Sequence, residues 1–136
     1  MTGAFTQAVE ISYASRSSRL LGQMLDALVA ASPMILVIVL DAVDVGNVAL
    51  NNVVILFSGV YYLLADALPG GRSVAKRWLN MAVVDADTGE PCTVWQSLNR
   101  NLLLALLGPI DWLFILGERH QRLGDKLAGT IVVNVD

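Results

Sequence analysis

The sequence is short of charge. Asp, Glu, Lys and Arg make up 15% of its 136 residues, and hydrophobic residues 55%, against about 25% and 45–50% in soluble domains. With a mean hydropathy of +0.60, too little polar surface is left to cover a water-soluble globule, so lipid is the expected solvent for much of the chain. Cysteine is nearly absent: Cys92 stands alone, which excludes an intrachain disulfide and reads as an inert thiol. His120 is the single histidine and reads as a solvated side chain. No nucleophile–base pair, metal-ligand cluster or phosphate-binding glycine loop is visible, so no enzyme activity, cofactor or metal is expected. Asp85-x-Asp87-x-Gly89 faintly resembles a calcium loop, but Gln96 stands where the bidentate Glu belongs, so the stretch reads as a hairpin turn. A cleavable leader pattern is also missing, and the first apolar segment is expected to remain as an anchor.

What is present is long apolar runs. A spanning helix needs about 20 residues. Residues 20–40 supply the first, with Pro33 in the middle, expected to free the carbonyl of Val29 and to kink the helix. Residues 48–68 supply the second, stopped by Pro69-Gly70-Gly71, with Gly59 offering a close helix approach. Tyr61, Tyr62, Trp78 and Trp112 suit the membrane–water interface. A third apolar segment, 99–116, has a short core interrupted by Gly108-Pro109. The pieces between and after are amphipathic. Residues 72–79 read as a basic turn or short helix with Arg72, Lys76 and Arg77 toward water and lipid phosphate. Residues 81–85 read as a strand, 92–95 as its possible hairpin return, 117–127 as a basic helix, and 129–135 as a further strand able to pair with 81–84.

Basic residues set the orientation. The loop 41–47 has two acids and no Lys or Arg, whereas all nine basic residues lie in the other polar regions. Positive residues favour the cytosolic side. All nine fall there if 99–116 turns back at its break; a complete third span would strand the last three outside. The shortness of the segment and its Gly-Pro break agree with re-entry. The expectation is therefore an all-α integral membrane protein: two transmembrane helices, a short broken or re-entrant third segment and a small cytosolic β-hairpin or sheet. It forms one domain over 13–135, after an N-terminal tail at 1–12 that is a surface tail or a short interfacial helix. Both termini are expected in the cytosol, at the inner (cell) membrane.

The candidate site is a set of charges at membrane depth. Arg19, Gln23 and Asp26 share one face of the first helix. An ionised aspartate inside a span costs about 2.5–3.5 kcal/mol unless paired or wetted. Asp66 ends a polar stripe (Asn51, Ser58, Tyr62) on the second helix, at the depth of Arg19 and Asp26. Asp111 follows the break in the third segment and reads as a cap of the second half-helix or as an ion ligand. Arg122 and Asp125 are spaced to pair with each other or to reach the Asp26 cluster from below. The principal set is Arg19, Asp26, Asp66 and Asp125, with Gln23, Tyr62, Arg100, Asp111 and Arg122 as secondary candidates. It reads either as a structural salt-bridge network or as a proton or cation site.

Four stretches in order resemble the RDD family of bacterial and archaeal membrane proteins: 13–26 with Arg19 and Asp26, 70–85, Arg100 at the head of the third segment, and 122–133 with Asp125. Ala75, Asn80 and Ser73 depart from the family pattern, as does the short third segment. The resemblance implies a transport-related protein, some relatives being sodium–proton antiporters. Asp26 is then the expected titrating carboxylate, with Arg19, Asp66 and Asp125 tuning it and a homo-oligomer completing a pathway. The alternative is a non-transporting scaffold or accessory protein that binds anionic lipid headgroups or a partner. Nucleic acid is not an expected partner.

Overall fold

A computed structural model describes residues 11–135. The reading of 1–12 as a tail falls mostly outside them. Helix α1 (Arg16–Ala42) starts where Ser15 accepts a hydrogen bond from the Ser18 amide at 3.1 Å, a side-chain N-cap. It is a turn longer at its N-terminus than hydropathy predicts, because Arg16, Ser17 and Ser18 are polar yet helical. Pro33 does free the Val29 carbonyl, and Ser32 Oγ donates to that oxygen at 2.8 Å. The helix continues to Ala42 as one element, with the vacated acceptor satisfied locally. Asn47 caps α2 (Val48–Leu64), which tightens into a 3-10 turn, Ala65–Ala67, before Pro69. Asn51 Nδ2 holds Asp41 at 2.9 and 3.0 Å, tying the two helices at the acidic loop.

α1 and the α2 extension are the two helices long and apolar enough to cross a membrane among the described residues. Their large side chains point outward, Ile38 at 66% and Leu56 at 69% exposure, as expected where lipid supplies the other half of the packing. A Cβ on Gly59 would touch nothing within 4 Å, so this glycine is not a helix-contact point. The close approach is made instead by Gly22, where a Cβ would fall 2.9 Å from the Met81 side chain.

Strand β1 (Met81–Asp85) pairs antiparallel with β2 (Thr130–Asn134), Val83 opposite Val132. Residues 12–14 add to the outer edge of β2 through Ala14 N to Val132 O at 3.0 Å and Asn134 N to Ser12 O at 2.8 Å. Ala14, Met81, Val83, Cys92 and Val132 form the small apolar core there. The expected return strand at 92–95 is absent. Thr93-x-x-Gln96 is a capping box that starts helix α4 (Val94–Leu107) instead, leaving one isolated bridge, Val84 to Pro91. The turn before it is held by Asp85, whose carboxylate accepts from the Asp87 and Thr88 amides at 2.8 and 3.0 Å and from Gln96 Nε2 at 2.7 Å.

At Gly108, with φ 55° and ψ −130°, the chain turns 115° from α4 into α5 (Pro109–Trp112) and a 3-10 turn, Leu113–Leu116. Only glycine adopts that backbone without strain. The expected helix over 117–127 shrinks to α6 (Leu123–Ala128), because Gly117 and the positive φ of His120 break its first half. The pairing of β1 with β2 brings the chain back, after α4 to α6, beside the strand that precedes them. α6 lies against α4 so tightly that a Cβ on Gly124 would stand 2.4 Å from the Arg100 carbonyl oxygen. Gly124→Ala should therefore destabilise the protein by about 1–3 kcal/mol, measured as a lowered Tm in detergent; an unchanged Tm would mean that this contact does not constrain the fold.

Candidate functional site

The charges gather at one end of the helix pair, where the N-terminus of α1 meets the C-terminus of α2. Eight side chains alternate in sign there. Asp26 meets Lys76 at 3.3 Å, and Lys76 meets Asp66 at 2.6 Å. Asp66 pairs with Arg100, whose other nitrogen lies 2.7 Å from Asp125. Asp125 pairs with Arg19, and Arg122 stands 3.6 Å from Asp125 and 3.5 Å from Asp111. All eight are buried, none more than 5% exposed. Four carboxylates (Asp26, Asp66, Asp111, Asp125) face four cations (Arg19, Lys76, Arg100, Arg122), so the network is formally neutral.

Each element delivers its residue for a local reason. Arg19, Gln23 and Asp26 line the inward face of α1, and Arg122 Nη1 stands 3.4 Å from Gln23 Oε1. Asp66 sits in the 3-10 turn that ends α2, and Asn101 of α4 donates to it at 3.1 Å. Ser73 is the N-cap of α3 (Val74–Trp78), and its hydroxyl also donates to Asp26. The amide of Ala75 reaches the other Asp26 oxygen at 3.2 Å. Asp125 is the third residue of α6 and accepts from the Arg122 amide at 3.2 Å, the return half of a capping box. Asp111 caps no helix of its own; it accepts from the Gly124 amide at 2.8 Å and so fixes α6 beneath the bend.

Lys76 corrects the sequence reading. It does not face water or phosphate; it is buried between two carboxylates. Arg77 and Trp78 are exposed, and Arg72 is half-buried, held by the carbonyls of Met81 at 3.0 Å and Arg77 at 3.3 Å. Arg19 pairs with Asp125, 106 residues later, rather than with Asp26, and Arg100 is the hub instead of an accessory. Tyr62 lies half-buried beside the network without a hydrogen bond to it. His120 is not freely solvated: its Nδ1 is 3.1 Å from the Ala14 carbonyl. Burial pushes the Cys92 thiol up to about 11, which leaves it protonated at neutral pH.

Two water-sized cavities flank Lys76 and Gln23. One is walled by Arg19, Lys76, Arg100 and Arg122, the other by Asp26, Asp66, Tyr61 and Asn101; each is about 10 Å³. The Tyr61 hydroxyl in the second has no hydrogen-bond partner.

A family model for the RDD family matches residues 13–129. The chain belongs to the RDD family. Comparison with curated proteins and with solved structures finds no match. In this RDD protein the arginine and two aspartates singled out above, Arg19, Asp26 and Asp125, all join one network, but only Arg19 and Asp125 touch.

Burial raises the pKa of the Asp125 carboxyl, but the fields of Arg100, Arg122 and Arg19 outweigh it and hold it well below the usual carboxylate range. A depressed carboxylate stabilises the fold fully above its unfolded value of about 3.9, and the contribution fades only as pH falls through the folded value. Asp125 should therefore contribute no pH dependence to stability between pH 5 and 8. Asp125→Asn would leave three buried arginines without their shared anion and should cost about 3–5 kcal/mol at any pH in that range. Thermal unfolding of both proteins at several pH values checks this; a wild-type Tm that already falls between pH 8 and 5 through this residue would contradict it.

Proposed function

We propose that this membrane protein exchanges a small monovalent cation for a proton at Asp26, Lys76 and Asp66. The observation that carries the reading is an ammonium held between two carboxylates, one from each spanning helix, beside a cavity with room for one small occupant. Lys76 occupies the place that a sodium-sized cation would take. The eight-residue network is neutral with Lys76 protonated. A cation entering between Asp26 and Asp66 restores neutrality only if Lys76 releases its proton, and an ammonium rebinding expels the cation. One charge enters as one leaves. Asp26 is then a ligand rather than the proton carrier, and Tyr61 and Asn101 offer further oxygens. A lysine can give up its proton, whereas an arginine cannot.

In this reading the bent α4–α5 segment is re-entrant. The network lies on the cytosolic side of the inner (cell) membrane with both termini, the exposed Arg77 meets anionic headgroups, and a homo-oligomer closes the pathway that two spans leave open. The protein performs no chemical catalysis and binds no nucleic acid.

A second reading has its own support. The Asp26 carboxylate already receives Ser73, Ala75 and Lys76, which suits a static lock in a non-transporting scaffold.

Purified protein in proteoliposomes, with an internal pH dye and pulses of Na⁺, K⁺ or Li⁺, separates the two. Exchange predicts cation-driven proton movement in the wild type, lost in Asp26→Asn and also in Lys76→Arg, which keeps the charge and the ion pairs. A silent wild type favours the scaffold, and Lys76→Arg exchanging at the wild-type rate removes Lys76 as the carrier.

A further inference from the structure

The 115° turn at Gly108 leaves a second space, apart from the cavity between Asp26 and Asp66. A cavity of about 510 Å³ opens between α1 and the bend, lined by Leu20, Met24 and Ala27 on one side and Leu104, Pro109 and Trp112 on the other. Its walls are apolar, and its size is that of a small-molecule pocket. Gln23 and Trp112 line it and also line the water-sized cavity walled by four basic side chains. Gln23 and Trp112 are thus the wall between an apolar groove and a small cationic cavity, which forms the groove's floor once these two side chains part.

That floor is short of acceptors. Arg19 Nη1 and Arg122 Nη2 are buried with no hydrogen-bond partner. Arg122 Nη2 stands 3.6 Å from Asp125 Oδ1, beyond hydrogen-bond length. Its guanidinium instead lies over the Trp112 ring, 5.6 Å from the centroid. Buried donors left unsatisfied are costly, and no carboxylate lines the cavity they share. An anionic oxygen placed there would meet two arginines. The cavity admits about one oxygen-sized group: a carboxylate can place one oxygen there with a single chain behind it, whereas a phosphodiester must also bring its glycerol and a second chain between Gln23 and Trp112. A carboxylate at the end of a single acyl chain matches both the narrow floor and the apolar channel.

We propose that this groove is a binding site for a free fatty acid, its chain against α1 and the α4–α5 bend and its carboxylate toward Arg19 and Arg122. The site stands whether or not ions move through the protein.

Trp112 reports on it. Trp78 and Trp95 are exposed, at 73% and 69%, and are replaced by phenylalanine so that Trp112 alone fluoresces. The delipidated full-length protein, in neutral detergent, is titrated with a dibrominated stearic acid, with its methyl ester and with dibrominated phosphatidylglycerol. The acid should quench Trp112 saturably. The ester, which keeps the chain and loses the anion, should bind at least about tenfold more weakly, and phosphatidylglycerol should quench only in proportion to its micellar concentration. Ala27→Phe, which fills the channel without touching the charge network, should abolish the saturable phase. Equal quenching by acid and ester means unselective solvation of an apolar groove and overturns the proposal. Saturable quenching by phosphatidylglycerol alone assigns the groove to a phospholipid and also overturns it, as does an Ala27→Phe protein that binds the acid unchanged.

Discussion

The structure depends on the Arg100 guanidinium. It is 1% exposed and reaches Asp66 from one side and Asp125 from the other. Taking such a charge out of water costs several kcal/mol, and only close, well-oriented partners repay it. Arg100 has both, because a planar guanidinium presents donors on separate edges. The end of the second span, the bent third segment and the closing α6 helix are joined through this one group. Arg19 and Lys76 then extend the same alternation to α1 and α3, so no carboxylate in the chain of pairs lacks a cation.

The backbone is shaped to allow this. Gly124 lets α6 come within backbone contact of Arg100, and Asp111 caps that approach through the Gly124 amide. Gly108 turns the third segment so that Asp111 and Arg122 stand beneath it. The two-stranded sheet then fixes the return: once Val83 lies opposite Val132, α4 and α6 are held side by side. The apolar exterior of α1 and α2 contributes little internal packing, so polar pairing and the small sheet carry much of the specificity that a hydrophobic core carries in a soluble protein.

Much of this was legible in the residues. Hydropathy placed both spans, β-branched runs placed both strands and their pairing, and Gly108-Pro109 placed the bend. The depth of Arg19, Asp26 and Asp66 marked one end of the helix pair as charged. Hydropathy alone misplaced Lys76, because in a five-residue helix the wet and dry faces are too short to separate by period. Charge balance held the missing signal: four aspartates near the apolar segments had only Arg19, Arg100 and Arg122 as counterparts, and neutrality called for a fourth cation. The hairpin expected at 92–95 failed for a different reason. Cys92, Thr93, Val94 and Trp95 favour a strand, and Pro91 and Cys92 do reach the free edge of β1, but the capping box of Thr93 and Gln96 turns the chain into α4 there.

The distance along the chain between Arg19 and Asp125 has a consequence for biosynthesis. A ribosome delivers Arg19 and both spans long before it delivers α6. Until then Arg19 and Arg100 lack their shared carboxylate, and β1 lacks its partner strand. The membrane-facing part of the chain is thus assembled around charges that are fully balanced only when α6 emerges. A chain clipped short of Asp125 would hold Arg19 with no carboxylate and Arg100 with Asp66 alone, so a cut before α6 would unbalance the charges while leaving both spans whole.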